Sequence, residues 1–441
     1  MIQPGTGSAL GGELHDLNVG LTRVLDDDQK SSQPLCGGLT GSPGELAEWL
    51  AATYVPPILG DDPARERAQR SYALAVARWG KTRRVPWLVT ALLHARVDSP
   101  GLREVLQAAS QVPVTAPAAL TLVYRSARLL RELGEVEAAR AQLARVPLEL
   151  TREHVSSDNL LRGERFMLAR DWGEALVSAQ RLAAGLEESS GLSDAHEAPR
   201  AERRVDWDRK AMELMNARVT ARRLGELAAT EGLPSSLQRQ FRWTAFTRAV
   251  VVEDHETLVA MAKELARSER RAADGMTALL KPMSREERLF EAQLLLMDAL
   301  GSTPELLGEA SGHRSMEVSD EDAELYIREM LTFGKIGWCI DSAATPAVAL
   351  SFLTSEEEKA ATEEWSKVVA AGNSMSYLGG AALAWARAHP KDPRAPVALY
   401  RVVRASKKSC QANTSEARDA FRLLHRRYGK SDLARKTKYY Y

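Results

Sequence analysis

Apolar positions recur at helical spacing along most of the chain. In residues 235–252 they fall at Phe241, Ala245, Phe246, Ala249 and Val250, a stripe at i, i+4, i+5, i+8 and i+9 that marks one face of a helix. Proline punctuates the starts: Pro43 precedes ELAEWLAATYV, Asp62-Pro63 opens a helix reaching Trp79, Val85-Pro86 leads into WLVTALLHARV, Ser99-Pro100 opens GLREVLQAAS, and Ala116-Pro117 opens a helix to Leu133. The same spacing predicts helices over 205–230, 235–252, 255–272 and 284–300, then near 320–334, 355–371, 375–388, 394–408 and 413–428, with a short one near 13–25. No Asn-Gly or Asp-Gly turn sits between alternating apolar runs, so strands are not expected. The pattern predicts an all-α chain.

Polar, Gly-, Ser- and Pro-rich stretches divide it. Residues 1–43 read as a loosely packed N-terminal segment, 44–185 as a helical-repeat region, 186–204 as a linker, 205–300 as a further helical bundle, 301–319 as an irregular loop and 320–441 as C-terminal helical repeats with a basic tail.

Two segments echo each other. VYRSARLLRELGEVEAARAQLARV at 123–146 and NLLRGERFMLARDWGEALVSAQRL at 159–182 each hold a helix, a turn marked by Gly134 or Asp171, and a second helix with Ala at the matching place. Ala127, Leu130, Ala139 and Leu143 occupy the small and large positions of the first unit; Gly163, Phe166 and Ala175 fit the same places 36 residues on. These units resemble tetratricopeptide repeats. Val123 and Asn159 replace that family's first Trp, Ala179 replaces a large residue, and the closing Pro is absent. The resemblance implies a right-handed α-solenoid of antiparallel helix pairs, and a protein that binds others on a helical surface. The tail, from HPKDPRAPVALYRVVRAS to EARDAFRLLHRRYGKSDLARKTKYYY, is similar to the terminal units of bacterial envelope and other helical-repeat proteins, with Arg427, Tyr428, Gly429, Lys430 and Ser431 at the closing turn.

Composition narrows the function classes. The chain has 441 residues with 59 basic and 59 acidic side chains, so no whole-protein field draws it to nucleic acid or membrane. No run of about 18 apolar residues predicts a transmembrane helix. The N-terminus has no basic stretch followed by an apolar one, which points to the cytoplasm. A chain relieved of its signal peptide reads the same, and keeps a periplasmic or secreted location open.

Gly80-Lys81-Thr82 and Gly429-Lys430-Ser431 end like phosphate-binding loops, but Ala75 and Leu424 stand where the first Gly belongs, so both read as helix ends. Lys30 and Arg65 stand where Asp26-Asp27-Asp28 and Asp61-Asp62 would need a last carboxylate for a magnesium site. The eight histidines form no His-Glu-x-x-His and no His-x-His pair; His94 reads as packed, and His389 and His425 as helix-end residues. Cys36, Cys339 and Cys410 contain no Cys-x-x-Cys, and Cys339 reads as a buried thiol, though one bridge remains open. These readings predict no catalytic residue, no metal and no cofactor.

The remaining candidate is the tail. Residues 394–441 hold thirteen Lys or Arg against three acidic residues. Arg401, Arg404 and Lys407 fall near one helical face, and Arg418, Arg422 and Arg426 recur every four residues. Such stripes suit an acidic or anionic surface, or else form a solvated face. No stacking aromatics interleave the stripe as a single-strand binder would need, which disfavours nucleic acid. The expected function is a non-catalytic scaffold or adaptor for a protein or peptide partner. The competing class is an all-helical enzyme with scattered site residues.

Overall fold

The computed structural model describes residues 45–53, 62–147, 155–182, 185–186, 205–270, 272–297, 302–307, 313–314, 338–340, 350–406 and 414–438. The chain is all-α. Its strands are short: β1 (Gln180–Leu182), β2 (Gly185–Leu186), β3 (Val205–Trp207) and β4 (His313–Arg314). The described residues fall into two compact units: those up to Ala169 together with 181–182, 185–186 and 313–314, and the remainder.

The first unit contains α1 (Glu45–Thr53), α2 (Asp62–Thr82), α3 (Val85–His94), α4 (Leu102–Gln111), α5 (Ala119–Glu132), α6 (Val136–Ala144) and α7 (Val155–Met167). The nearly continuous apolar run of α3 puts it at the centre, packed against α1, α2, α4 and α5. Trp87, Leu88 and Leu92 of α3 join Leu122 and Ala127 of α5 in the core. The α5 stripe of Ala119, Leu122, Val123, Ser126, Ala127 and Leu130 faces inward as helical periodicity requires. Gly134 closes α5 at φ 80°, a left-handed turn that glycine adopts without a Cβ penalty. The Gly134 N–H donates to the Arg131 carbonyl at 3.0 Å and the Glu135 N–H to the Leu130 carbonyl at 2.8 Å. These paired bonds satisfy the end of α5 and return the chain as α6, which packs on α5. In the same unit β2 and β4 pair in parallel, Gly185 beside His313.

The second unit holds α8 (Trp172–Ser178), α9 (Arg209–Arg218), α10 (Ala221–Leu227), α11 (Ser235–Val252), α12 (His255–Ser268), α13 (Ala273–Leu279), α14 (Arg285–Leu296), α15 (Ser355–Ala370), α16 (Ser374–Ala388), α17 (Arg394–Ala405), α18 (Ser415–Tyr428) and α19 (Asp432–Lys436). Most of its helices start on polar caps. Asp208, Thr220, Asp254, Ser284, Thr354, Asn373, Thr414 and Ser431 each accept from the backbone N–H three residues on. From α10 to α14 and from α16 to α19, each helix packs on its sequence neighbour; α9 instead packs on α15.

Helix α11 is buried on nearly all sides and carries Arg248, whose side chain has no solvent exposure. Arg248 donates to the Pro304 carbonyl from Nε at 3.0 Å and Nη2 at 2.9 Å, and to the Val219 carbonyl from Nη1 at 2.6 Å. Glu364 lies 3.7 Å away, and the guanidinium sits 5.3 Å from the Trp365 ring centre. Burial pushes the guanidinium pKa down to about 10. Asn216 completes the clamp on residues 302–307: its amide donates to the Leu306 carbonyl at 3.1 Å and its oxygen accepts from the Leu306 N–H at 2.8 Å.

Several expectations are corrected. The helix expected over 205–230 is β3 followed by two helices, because Thr220 caps a new start at Ala221. The helix expected to reach residue 272 ends at Ser268, and α13 follows it. Gly275 is tolerated within α13 because Leu295 Cδ1 lies 2.5 Å from where a Cβ would stand. Ala127, Ala139 and Ala175 are fully buried, but Gly163 is only half-buried. A Cβ at Gly163 would meet only Arg181 Nη2, at the ordinary distance of 3.8 Å, so Gly163 marks no tight crossing. The unit division also falls inside the second echoing segment, with Gly163 and Phe166 in one unit and Ala175 in the other. The helices expected near 13–25 and 320–334, residues 187–204 of the expected linker, and Lys407 lie outside the described residues.

Candidate functional site

The second unit presents a cleft of about 510 Å³ where the start of α14 meets the turn between α16 and α17. Its wall begins with the α14 cap. Ser284 Oγ accepts from the Glu287 N–H at 3.1 Å, while Glu287 Oε2 accepts from the Ser284 N–H at 2.9 Å. The Ser284 N–H, joined by the Ser284 hydroxyl donating to the same Oε2 at 2.9 Å, holds the Glu287 carboxyl below its usual range. One turn on, Phe290 stacks flat on Trp385 of α16, centroids 4.1 Å apart and planes 6° apart. His389, just past α16, lies 4.0 Å from the Trp385 ring.

Asp392 and Arg394 close the floor. Trp385 Nε1 donates to Asp392 Oδ2 at 3.0 Å. Arg394 donates to Asp392 from Nη2 at 2.8 Å and to Glu291 from Nη1 at 2.9 Å, and sits 5.3 Å from the Trp385 ring centre. The Arg394 hydrogen bond draws the Asp392 carboxyl below its usual range, and Asp392 in turn raises the guanidinium. Arg394 is therefore committed to carboxylates of its own unit. Glu286, with His389 Nε2 at 3.8 Å, and the exposed Lys391 supply polar groups at the mouth. This arrangement can hold a small polar group beside an aromatic edge.

The tail arginines do not act alike. Arg401 is half-buried, and its Nη1 donates to the Leu294 carbonyl in the last turn of α14 at 2.7 Å. Arg404 is exposed, 5.7 Å from the Tyr400 ring centre. Arg418, Arg422 and Arg426 are exposed on α18; Arg422 lies 3.8 Å from Asp419. The structure thus brings the three α18 residues onto one face and places Arg401 in a packing role.

Other candidates fall at helix ends. His94 bonds the Thr53 carbonyl at the end of α1 at 3.2 Å, and burial lowers its pKa. His425 bonds the Thr437 carbonyl at 2.7 Å. Ser431 of the Gly-Lys-Ser triplet caps α19. Cys339, expected as a thiol, is disulfide-bonded. Trp338 beside it is buried and its carbonyl accepts from the Ser374 N–H at 2.9 Å. Among the described residues, no three His, Cys, Asp or Glu side chains are grouped to hold a metal ion, and no helix is long and apolar enough to cross a membrane.

Sequence reading missed Trp385, Asp392 and Arg394 as a group. The one local signal was the proline-bracketed turn His389-Pro390-Lys391-Asp392-Pro393. Its partners Glu286 and Phe290 lie about a hundred residues earlier, where no sequence spacing links them. The chain matches no protein-family profile, no curated protein and no solved structure. The tetratricopeptide resemblance therefore rests on the residues that suggested it.

Proposed function

We propose that this chain is a non-catalytic scaffold or adaptor, a right-handed solenoid of helix pairs that binds a protein or peptide partner on a helical surface. The observation that carries the reading is the order of packing: along α2–α6, α10–α14 and α16–α19, consecutive helices pack on one another, and α5, α17 and α18 bury one stripe and leave a polar face outside. The α5–α6 pair supports the tetratricopeptide-like character, with its paired-bond turn at Gly134 and fully buried Ala127 and Ala139. The basic residues of the tail supply a charged face for such a partner. The bridge at Cys339 favours an oxidising compartment, periplasmic or extracellular, over the cytoplasm. Affinity capture of the tagged full chain from its native cells, with cross-linking and mass spectrometry, tests the reading. A partner cross-linked to exposed helix faces supports it. Turnover of a small molecule by the purified chain, with no partner retained, overturns it.

A further inference from the structure

We propose that the outer face of α18 docks an acidic α-helix of the partner protein, whose carboxylates meet Arg418, Arg422 and Arg426; this rests on the adaptor reading above. The first observation is charge segregation. Residues 414–438 carry eight Lys or Arg and three acidic residues, in a chain whose formal net charge is zero. The second is availability. Arg418, Arg422 and Arg426 are exposed, and the buried stripe of α18, Ala417, Ala420, Leu423 and Leu424, anchors the helix from the opposite side. Asp419 lies 3.8 Å from Arg422; both side chains are solvent-exposed, so the pair is weak and exchangeable.

The spacing selects the occupant. Three arginines four residues apart repeat every ~6 Å along the axis. An acidic helix with Glu at every fourth residue presents carboxylates at the same interval. Guanidinium groups bind carboxylates through two parallel N–H donors, which a row of ammonium groups does not provide. A membrane is disfavoured because the exposed positions of α18 carry no apolar side chain to enter it. A single-stranded nucleic acid is disfavoured because the two aromatic residues of α18 are engaged: Phe421 packs 4.3 Å from His425, and Tyr428 donates to the Pro390 carbonyl at 2.9 Å.

The test is fluorescence anisotropy with the full chain and a labelled Ala-rich peptide of about 20 residues, long enough to hold a helix, with Glu at every fourth position. A scrambled peptide of the same composition, a single-stranded oligonucleotide and phosphatidylserine vesicles are compared with it. The spaced peptide binds tightest, and its affinity falls at least about tenfold in Arg418→Glu/Arg422→Glu/Arg426→Glu. The Arg→Gln triple variant, which adds no repulsion, also weakens binding, and both variants melt like the parent. Equal binding of the scrambled peptide, tighter binding of oligonucleotide or vesicles, or undiminished binding by both variants overturns the proposal. A natively captured partner held equally well by parent and triple variant overturns this docking face and leaves the adaptor reading standing.

Discussion

Glu253 sits at φ 61°, just past α11, and the Asp254 N–H behind it donates to the Ala249 carbonyl at 2.9 Å. This is the same left-handed helix end that Gly134 makes, built with a residue whose Cβ resists it. Glu253→Gly is expected to stabilise the chain by about 0.5–1 kcal/mol, read as a rise in thermal midpoint. A lower midpoint would mean that the Glu253 side chain contributes more than its backbone costs. Asp392 gives a pH signature. Its folded-state carboxyl titrates below the ordinary 3.8, mainly through the Arg394 hydrogen bond. A depressed carboxylate stabilises the fold above its unfolded pKa, and that contribution is lost as pH falls through the folded value. Asp392→Asn is therefore expected to cost about 1–2 kcal/mol near neutral pH. Denaturant titrations should show the gap to the parent closing below about pH 4. A gap that stays constant into acid would remove the charged pair from the floor of the cleft.

Arginine is used repeatedly to finish helices at the scale of the element. Arg145 donates to the Val112 carbonyl past α4 at 2.6 Å, Arg165 to the Val146 carbonyl past α6 at 2.9 Å, and Arg140 to the Leu168 carbonyl past α7 at 2.8 Å. In the second unit Arg288 reaches the Leu279 carbonyl of α13 at 3.0 Å, and Arg427 the Ala386 carbonyl of α16 at 3.0 Å. The last carbonyls of a helix have no partner inside it and carry partial negative charge, so a guanidinium from another helix satisfies both needs. Arg401 does the same for α14. Arg401→Met is therefore expected to cost about 1–2 kcal/mol, and Arg404→Met less than about 0.5. Equal melting shifts would return Arg401 to the solvated stripe. The helices themselves were largely legible, because α11, α16, α17 and α18 keep apolar positions at helical spacing, opened by Pro234, Asn373, Pro393 and Thr414. The break between α9 and α10 was not, since Thr220 reads equally well as a helix interior residue. Nor was the role of Arg401, whose acceptor lies 107 residues away.

For the whole molecule, the bridge at Cys339 uses two of the three cysteines and leaves one. Thiol titration of the unreduced, denatured chain should find one reactive thiol per chain. Three would contradict the bridge and the oxidising compartment it favours. The cleft of Trp385 and Arg394 could not be read from sequence because it joins α14 to the α16–α17 turn. The α18 face could, because a helix carries its surface spacing with it. Hydrogen exchange of the full chain, alone and with the natively captured partner, tests the account of partner docking on α18 most directly. Slowed exchange centred on α18, strongest around Arg418, Arg422 and Arg426, is the predicted result. Unchanged exchange in α18, with protection gathered around the Trp385 cleft, would contradict it.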